Sequence, residues 1–141
     1  ELNGCADTAK TLGNVEQNTE LGIYGHIFTR TGSIVVETGD MHTGSATIIS
    51  TVNGREEKEY DAEINRIYNE TGSQRMMLTV TDPELRSITG GIVQGMSGSP
   101  VMQDGKLVGA VTHVFVSDPC KGFGISIYDM LETAGIREQA A

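Results

Sequence analysis

Short runs of alternating apolar and polar residues, separated by glycine, are the dominant pattern along this chain. Between residues 44 and 52, Ala46, Ile48 and Ser50 alternate with threonine and isoleucine, and residues 60–67 alternate in the same way. A period of two is typical of β-strands, because successive side chains point to opposite faces of a sheet. The pattern predicts strands over 21–29, 33–38, 44–52, 60–67, 74–81, 106–112 and 122–127, whereas residues 1–10 show no clean periodicity.

Turn residues connect these strands in a way that indicates hairpins. Asn53-Gly54 and Asp104-Gly105 are pairs typical of tight type I′ turns, and Asp82-Pro83 predicts a short turn or helix. Ser117-Asp118-Pro119 predicts another turn. Residues 128–134 predict a short C-terminal helix that Gly135 ends. The sequence therefore predicts a strand-rich barrel without internal repeats.

Composition agrees with one mostly β domain. The chain has 141 residues, 18 of them glycine and none tryptophan, which suits a single core built from short strands and tight turns. It starts at Glu1 without an initiator methionine, so we expect a piece of a longer protein. The whole chain, 1–141, is expected to be one domain or most of one.

Charge and cysteine usage exclude several classes of function. A net charge of −9, with no basic cluster, argues against nucleic acid or an anionic membrane as the main partner. No apolar run approaches the roughly 20 residues that span a bilayer, so no direct membrane insertion is expected. Cys5 and Cys120 stand 115 residues apart, and the three histidines are scattered. Neither a metal site nor another cofactor is predicted.

The strongest chemical signal is the hexapeptide Gly-Met-Ser-Gly-Ser-Pro at residues 95–100. Gly95 and Gly98 flank Ser97 and would let the backbone take positive φ, so that amide N–H groups gather on one side of the turn. An oxyanion hole requires that arrangement. A Gly-x-Ser-Gly sequence also occurs in plain loops, but here a hairpin and a buried strand follow it. Ser97 is therefore the candidate nucleophile.

This region resembles the nucleophile segment of chymotrypsin-like serine proteases and, more closely, the stage IV sporulation protein B peptidase family. The resemblance rests on residues 90–100, 105–116 and 118–119, and more loosely on 18–25 and 44–48. It implies a chymotrypsin-like β-barrel, either one barrel or most of the protease domain, with a short C-terminal helix. It also implies a serine endopeptidase of bacterial sporulation signalling that cleaves a membrane-associated regulatory protein. An upstream membrane anchor, a PDZ module and a location on the extracytoplasmic side of the membrane are implied as well.

A nucleophilic serine needs a base and a group that orients the base, commonly a histidine and a carboxylate. The order His26, Asp82, Ser97 reproduces the order of roles in chymotrypsin-like enzymes. The family resemblance instead places the base in a Gly-His-Gly signature upstream of Asn18, outside this chain, which leaves His26 as a fallback. His42 in a turn and His113 on a strand are more simply structural.

Asp82, 15 residues before Ser97, matches the family's acidic position. An Asx turn or helix cap before Pro83 explains the same residue without catalysis. Thr112 would lie beside the triad, where it could donate a hydrogen bond to the acid, or it is a core residue. Both alternatives stay open.

Two further positions restrict the expected enzyme. Met96 cannot form the ion pair with a freed N-terminus that activates digestive relatives. Gly91, six residues before Ser97, offers no carboxylate at the base of a specificity pocket, so a preference for Lys or Arg is not supported. The alternative function is a non-catalytic binding module that keeps the barrel. A lipase-like hydrolase is disfavoured because a hairpin, and not a helix, follows the serine.

Overall fold

The computed structural model describes residues 9, 11–19, 22–28, 36–52, 54, 56–93 and 95–136. Eight strands and two short helices follow one another through these residues. They are β1 (Gly13–Thr19), β2 (Gly22–Ile27), β3 (Gly44–Ser50), β4 (Lys58–Glu70), β5 (Ser73–Val80), α1 (Pro83–Thr89), β6 (Pro100–Gln103), β7 (Lys106–Phe115), β8 (Asp118–Ser126) and α2 (Ile127–Thr133).

Strands β3 to β8 form a closed antiparallel barrel in the order β3-β4-β5-β8-β7-β6. The barrel closes where β3 meets β6, through the pairs Thr47–Met102 and Ile48–Val101. Closure leaves few unpaired strand edges, which stabilises a sheet built from a short, glycine-rich chain. The predicted mostly β barrel with a short C-terminal helix is confirmed.

The barrel encloses one apolar core. Inward-facing side chains alternate along the strands as the sequence period requires, and the largest of them are fully buried. Burying each such side chain stabilises the fold by roughly 1.5–3 kcal/mol. The largest buried side chains are Tyr60, Ile48, Ile64, Met76, Leu78, Leu85, Ile125, Val80, Val101, Val108 and Val111.

The chain divides into two compact units, residues 1–35 and 36–141. The described part of the first unit is the antiparallel hairpin of β1 and β2, which pairs Gly13 with Ile27 and Thr19 with Gly22 and contains an irregularity between Val15 and Gln17. The sequence did not predict β1. The second unit contains the barrel and both helices. In the described residues, no helix has the length and apolar character needed to cross a membrane.

Element boundaries differ from the predicted ones in a few places. Strand β4 runs 13 residues, because it continues into a long hairpin with β5 around Thr71-Gly72. Residues Asp118-Pro119, predicted as a turn, already belong to β8. Residues 33–35 of the strand predicted at 33–38 lie outside the described residues, and its remaining part forms no strand but an isolated bridge between Thr38 and Leu107. Asn53 of the predicted Asn-Gly turn also lies outside the described residues, but β3 and β4 do form the antiparallel pair that this turn predicts.

Candidate active site

The turn that carries Ser97 lies between α1 and β6. Gly95 and Gly98 both adopt positive φ, 101° and 89°, in the region that favours glycine. Met96, which lies between Gly95 and Ser97, is 4% exposed and belongs to the barrel core, whereas Ser97 itself is exposed. The buried methionine therefore anchors the turn, and the serine is left at the surface.

Hydrogen bonds to strand β7 fix the position of this turn. The amide of Gly98 donates to the carbonyl of Val111 at 2.7 Å, and the amide of Val111 donates back to the carbonyl of Ser99 at 3.0 Å. Within the turn, the Ser99 amide donates to the carbonyl of Met96. The turn is thus attached to β7, the second strand of the hairpin that follows Ser97.

The hydroxyl of Ser97 reaches the same strand one residue further on. Its Oγ donates a hydrogen bond of 2.7 Å to the backbone carbonyl of Thr112. Thr112 is the extra residue of a β-bulge, since Val111 pairs with Gly124 while His113 pairs with Phe123. A bulge redirects the backbone groups of its strand, and here a strand carbonyl meets the candidate nucleophile.

Two amides are left over to form an oxyanion hole. In the hydrogen-bond network of the described residues, neither the Gly95 nor the Ser97 N–H has an acceptor. Their convergence on one point near Ser97 Oγ stays a prediction, as does the role of Ser97 as nucleophile.

Comparison with known proteins complements this geometry. The sequence profile described as SpoIVB peptidase S55 matches residues 1–131. This chain belongs to the SpoIVB peptidase S55 family. The family resemblance expected from the residues around Ser97 is therefore confirmed, and the chain is a serine peptidase of the hydrolase class. No curated protein matches the chain.

Three crystal structures of Rv3671c from M. tuberculosis share the fold of this S55 chain. An inactive serine-to-alanine mutant is 14% identical with a TM-score of 0.63, and the alignment covers 92% of this chain and 67% of that one. The active protease is 14% identical with a TM-score of 0.63, and coverage is 90% and 60%. Another inactive form is 15% identical with a TM-score of 0.61, and coverage is 87% and 67%. The chain thus spans 60–67% of the length of these neighbours, and its barrel is of the chymotrypsin-like protease type.

Asp82, the candidate acid of this S55 chain, caps helix α1. Its Oδ1 accepts from the amides of Glu84 and Leu85 at 2.9 and 3.0 Å, and its Oδ2 accepts from the amide of Asp61 at 3.1 Å. Desolvation raises the pKa of Asp82, but the three amide donors and the nearby Lys58 ammonium outweigh it and hold that pKa below its ordinary value. The capping alternative is thus realised, while a role in catalysis is still a prediction.

His26, the fallback base, lies in β2 of the first unit. Its Nδ1 is 2.6 Å from Oε1 of Glu16, and both side chains are well exposed, at 72% and 50%. A carboxylate on Nδ1 is the arrangement that orients a catalytic imidazole, and the sequence pattern does not reveal Glu16 as this partner. Exposed ion pairs of this kind are also common on protein surfaces and contribute little.

His42 is held in a way that excludes it as a base for Ser97. Its Nδ1 lies 3.0 Å from the carbonyl of Thr43 and its Nε2 lies 2.9 Å from Oδ2 of Asp104, so both ring nitrogens face oxygen atoms other than Ser97 Oγ. The Thr43 carbonyl and then the Asp104 carboxylate raise the pKa of His42. Asp104 directly follows β6, whose four residues separate it by about 13 Å from the turn that carries Ser97.

His113 lies on the strand next to residues 95–99, the candidate nucleophile turn, and its ring packs against an aromatic side chain. Its ring stacks on Phe123 with centroids 4.6 Å apart, and its Nδ1 lies 3.0 Å from the Thr112 hydroxyl. The Thr112 hydroxyl therefore contacts an imidazole and not an acid. Within the described residues, no imidazole nitrogen is hydrogen-bonded to Ser97 Oγ.

Cys120 is the cysteine that lies within the described residues. Cys120 is a free thiol whose Sγ lies 3.4 Å from the carbonyl oxygen of Gly90, while Cys5 lies outside the described residues. The described residues contain no group of three metal-ligating side chains.

Proposed function

We propose that this S55 chain is the nucleophile-bearing domain of a serine endopeptidase of bacterial sporulation signalling. Its substrate is a membrane-associated regulatory protein, cleaved on the extracytoplasmic side of the membrane, as the family resemblance implies. Residues 1–141 are one peptidase domain or most of it, and an anchor and a PDZ module belong to the longer protein. The family match over residues 1–131 supports the reaction class.

The observation that carries the proposal is the hydrogen bond between Ser97 Oγ and the Thr112 carbonyl. Strand β6 pairs with β7 only as far as Ala110, so the edge of β7 beyond the turn has no strand partner in the described residues. An extended peptide can add to such an edge through backbone hydrogen bonds. A peptide aligned on Thr112 would bring a carbonyl carbon to Ser97.

The reaction then follows the acyl-transfer scheme. Ser97 Oγ gives its proton to a base and attacks the carbonyl carbon, and the oxyanion that forms is stabilised by the amides of Gly95 and Ser97. The protonated base returns the proton to the leaving amine. Water, activated by the same base, then releases the acyl group from Ser97.

The base in this proposal is a histidine of the longer protein, as the family signature implies, and Asp82 is its orienting acid. His26 with Glu16 is the alternative within this chain. His26→Ala in the complete protein distinguishes the two: we expect turnover close to wild type, whereas a loss of orders of magnitude would assign the role of base to His26. Glu16→Gln is the matched test of its partner.

An activity-based phosphonate probe tests the nucleophile directly. We expect the complete protein to form a covalent adduct that peptide mass spectrometry locates at Ser97, and Ser97→Ala to abolish both the adduct and peptide cleavage. Ser99→Ala, two residues away in the same turn, is the control and should keep both. Absence of an adduct in the folded complete protein would support the non-catalytic binding module instead.

A further inference from the structure

The residue whose carbonyl Ser97 attacks must place its side chain beside the nucleophile turn. Two stretches bound that place. Residues 91–93 lead into the turn, and the start of β8 lies across from it, because Gly122 pairs with Val114, two residues beyond Thr112 on β7. Any slot for this substrate side chain therefore lies between residues 91–93 and 119–122, which we call the side-chain slot.

The backbones on the two sides of the side-chain slot are already in contact. The amide of Ile92 donates to the carbonyl oxygen of Pro119 at 2.7 Å. Gly91 has φ of 137°, and a Cβ added there would collide with the same Pro119 carbonyl. Neither stretch can therefore move closer, and the space that remains depends on the side chains between them.

The side chain of Ile92 fills that space. Ile92 is 2% exposed and belongs to the barrel core, and a Cβ added to Gly122 would collide with its Cδ1. On the neighbouring strand, Val114 packs against the same core. The space between the two stretches is thus occupied by a core side chain of the protein itself.

We propose that Ile92 is the specificity-determining residue of this peptidase and restricts the residue before the scissile bond to Gly, Ala or Ser. A larger aliphatic, aromatic or basic side chain would have to displace a buried isoleucine from a close-packed core, which is costly. This inference rests on the proposed function, because it needs Ser97 to be the nucleophile.

A peptide library digested by the complete protein tests the proposal without any variant. Cleavage sites are identified by mass spectrometry, and Ser97→Ala defines the background. We expect Ser97-dependent cleavage after Gly, Ala or Ser, at least about tenfold faster than after Leu, Phe, Lys or Arg. Ser97-dependent cleavage that favours the large residues would overturn the role of Ile92. Absence of Ser97-dependent cleavage would overturn the proposed function, and with it the inference.

Enlarging the side-chain slot gives an independent readout. Ile92→Ala should raise kcat/KM for cleavage after Leu or Met by about tenfold or more, relative to kcat/KM for cleavage after Ala. Ile92→Val should give a smaller change in the same direction. Ile64→Ala removes the same atoms from the core at β4 and should leave the preference unchanged. An equal shift in both alanine variants, or none in either folded Ile92 variant, would contradict the proposal.

Discussion

At the scale of single residues, the candidate acid Asp82 and the imidazole of His42 each have a structural role that the geometry explains. Asp82 caps α1 and also holds the amide of Asp61, and His42 joins the loop before β3 to the β6–β7 turn. Both roles follow from groups that accept or donate several hydrogen bonds at once. Their titration is therefore linked to stability, in opposite directions.

Asp82→Ala should destabilise the fold by about 1–2 kcal/mol, because two helix amides and the Asp61 amide lose their acceptor. Asp82→Asn keeps an oxygen for the helix and should cost less. Urea unfolding measures both. Since folding lowers the pKa of Asp82, its contribution is present above about pH 3.8 and is lost as pH falls through the lowered value.

Activity distinguishes capping from catalysis at the same position. If Asp82 orients the base, Asp82→Asn should lower kcat/KM of the complete protein by orders of magnitude. Ser126→Ala removes the equivalent cap of α2, where Ser126 Oγ accepts from the Tyr128 amide, and controls for the loss of a cap alone. Wild-type activity in Asp82→Asn would leave Asp82 as a capping residue only.

His42 should show the opposite pH dependence. Its pKa is raised by folding, so its contribution to stability is fully present below about pH 6.5 and is lost as pH rises through the raised pKa. NMR titration should give His42 a higher pKa in the folded protein than in an unfolded peptide. In Asp104→Asn the difference should shrink but persist, because the Thr43 carbonyl is its larger cause.

Residue types led to a candidate nucleophile but did not reveal its surroundings. Ser97 stands out because glycines flank it and a hairpin follows, and both features can be read directly from the order of residue types. The Thr112 contact uses a backbone carbonyl exposed by a bulge, and any residue can supply a carbonyl. Glu16 pairs with His26 only because β1 and β2 pair in a particular register, which the sequence did not reveal.

At the scale of elements, alternation predicted most of the barrel strands, and local chemistry explains the misses. Strand β1 ends in Gln17, Asn18 and Thr19, whose polar side chains show no period of two. Strand β8 begins with Asp118-Pro119, which by composition reads as a turn. In both cases, pairing with a neighbouring strand overrides the local preference.

The nucleophile turn is the element whose backbone matters most. Gly98→Ala adds a Cβ that meets nothing within 4 Å, so its cost comes from the φ of 89° alone, about 1–2 kcal/mol. Probe labelling at Ser97 should fall with it, because the Gly98 amide holds the turn to Val111. Gly98→Asn should be milder in both measurements, since asparagine tolerates positive φ. Unchanged labelling in Gly98→Ala would separate the turn geometry from reactivity.

At the scale of the whole molecule, the barrel and its core are contained in residues 36–141. We expect a protein of residues 36–141 to unfold in one cooperative transition, with a urea midpoint close to that of the entire chain, because closed strand pairing and the buried core are kept. Circular dichroism and limited proteolysis in urea would measure the cooperativity and the midpoint of this transition. A non-cooperative or strongly shifted transition would show that the first unit contributes to barrel stability.

The six strands of the barrel are not joined equally. Strand β3 is paired with β4 over seven positions but with β6 over only two. Local opening of a native protein starts where the fewest contacts must break, so amide hydrogen exchange should be fastest along this seam. Because β6 begins at Pro100, directly after the turn that holds Ser97, each opening of the β3–β6 pairing would loosen Ser97 before the rest of the barrel unfolds. Its reactivity would then fall with temperature or denaturant ahead of global unfolding.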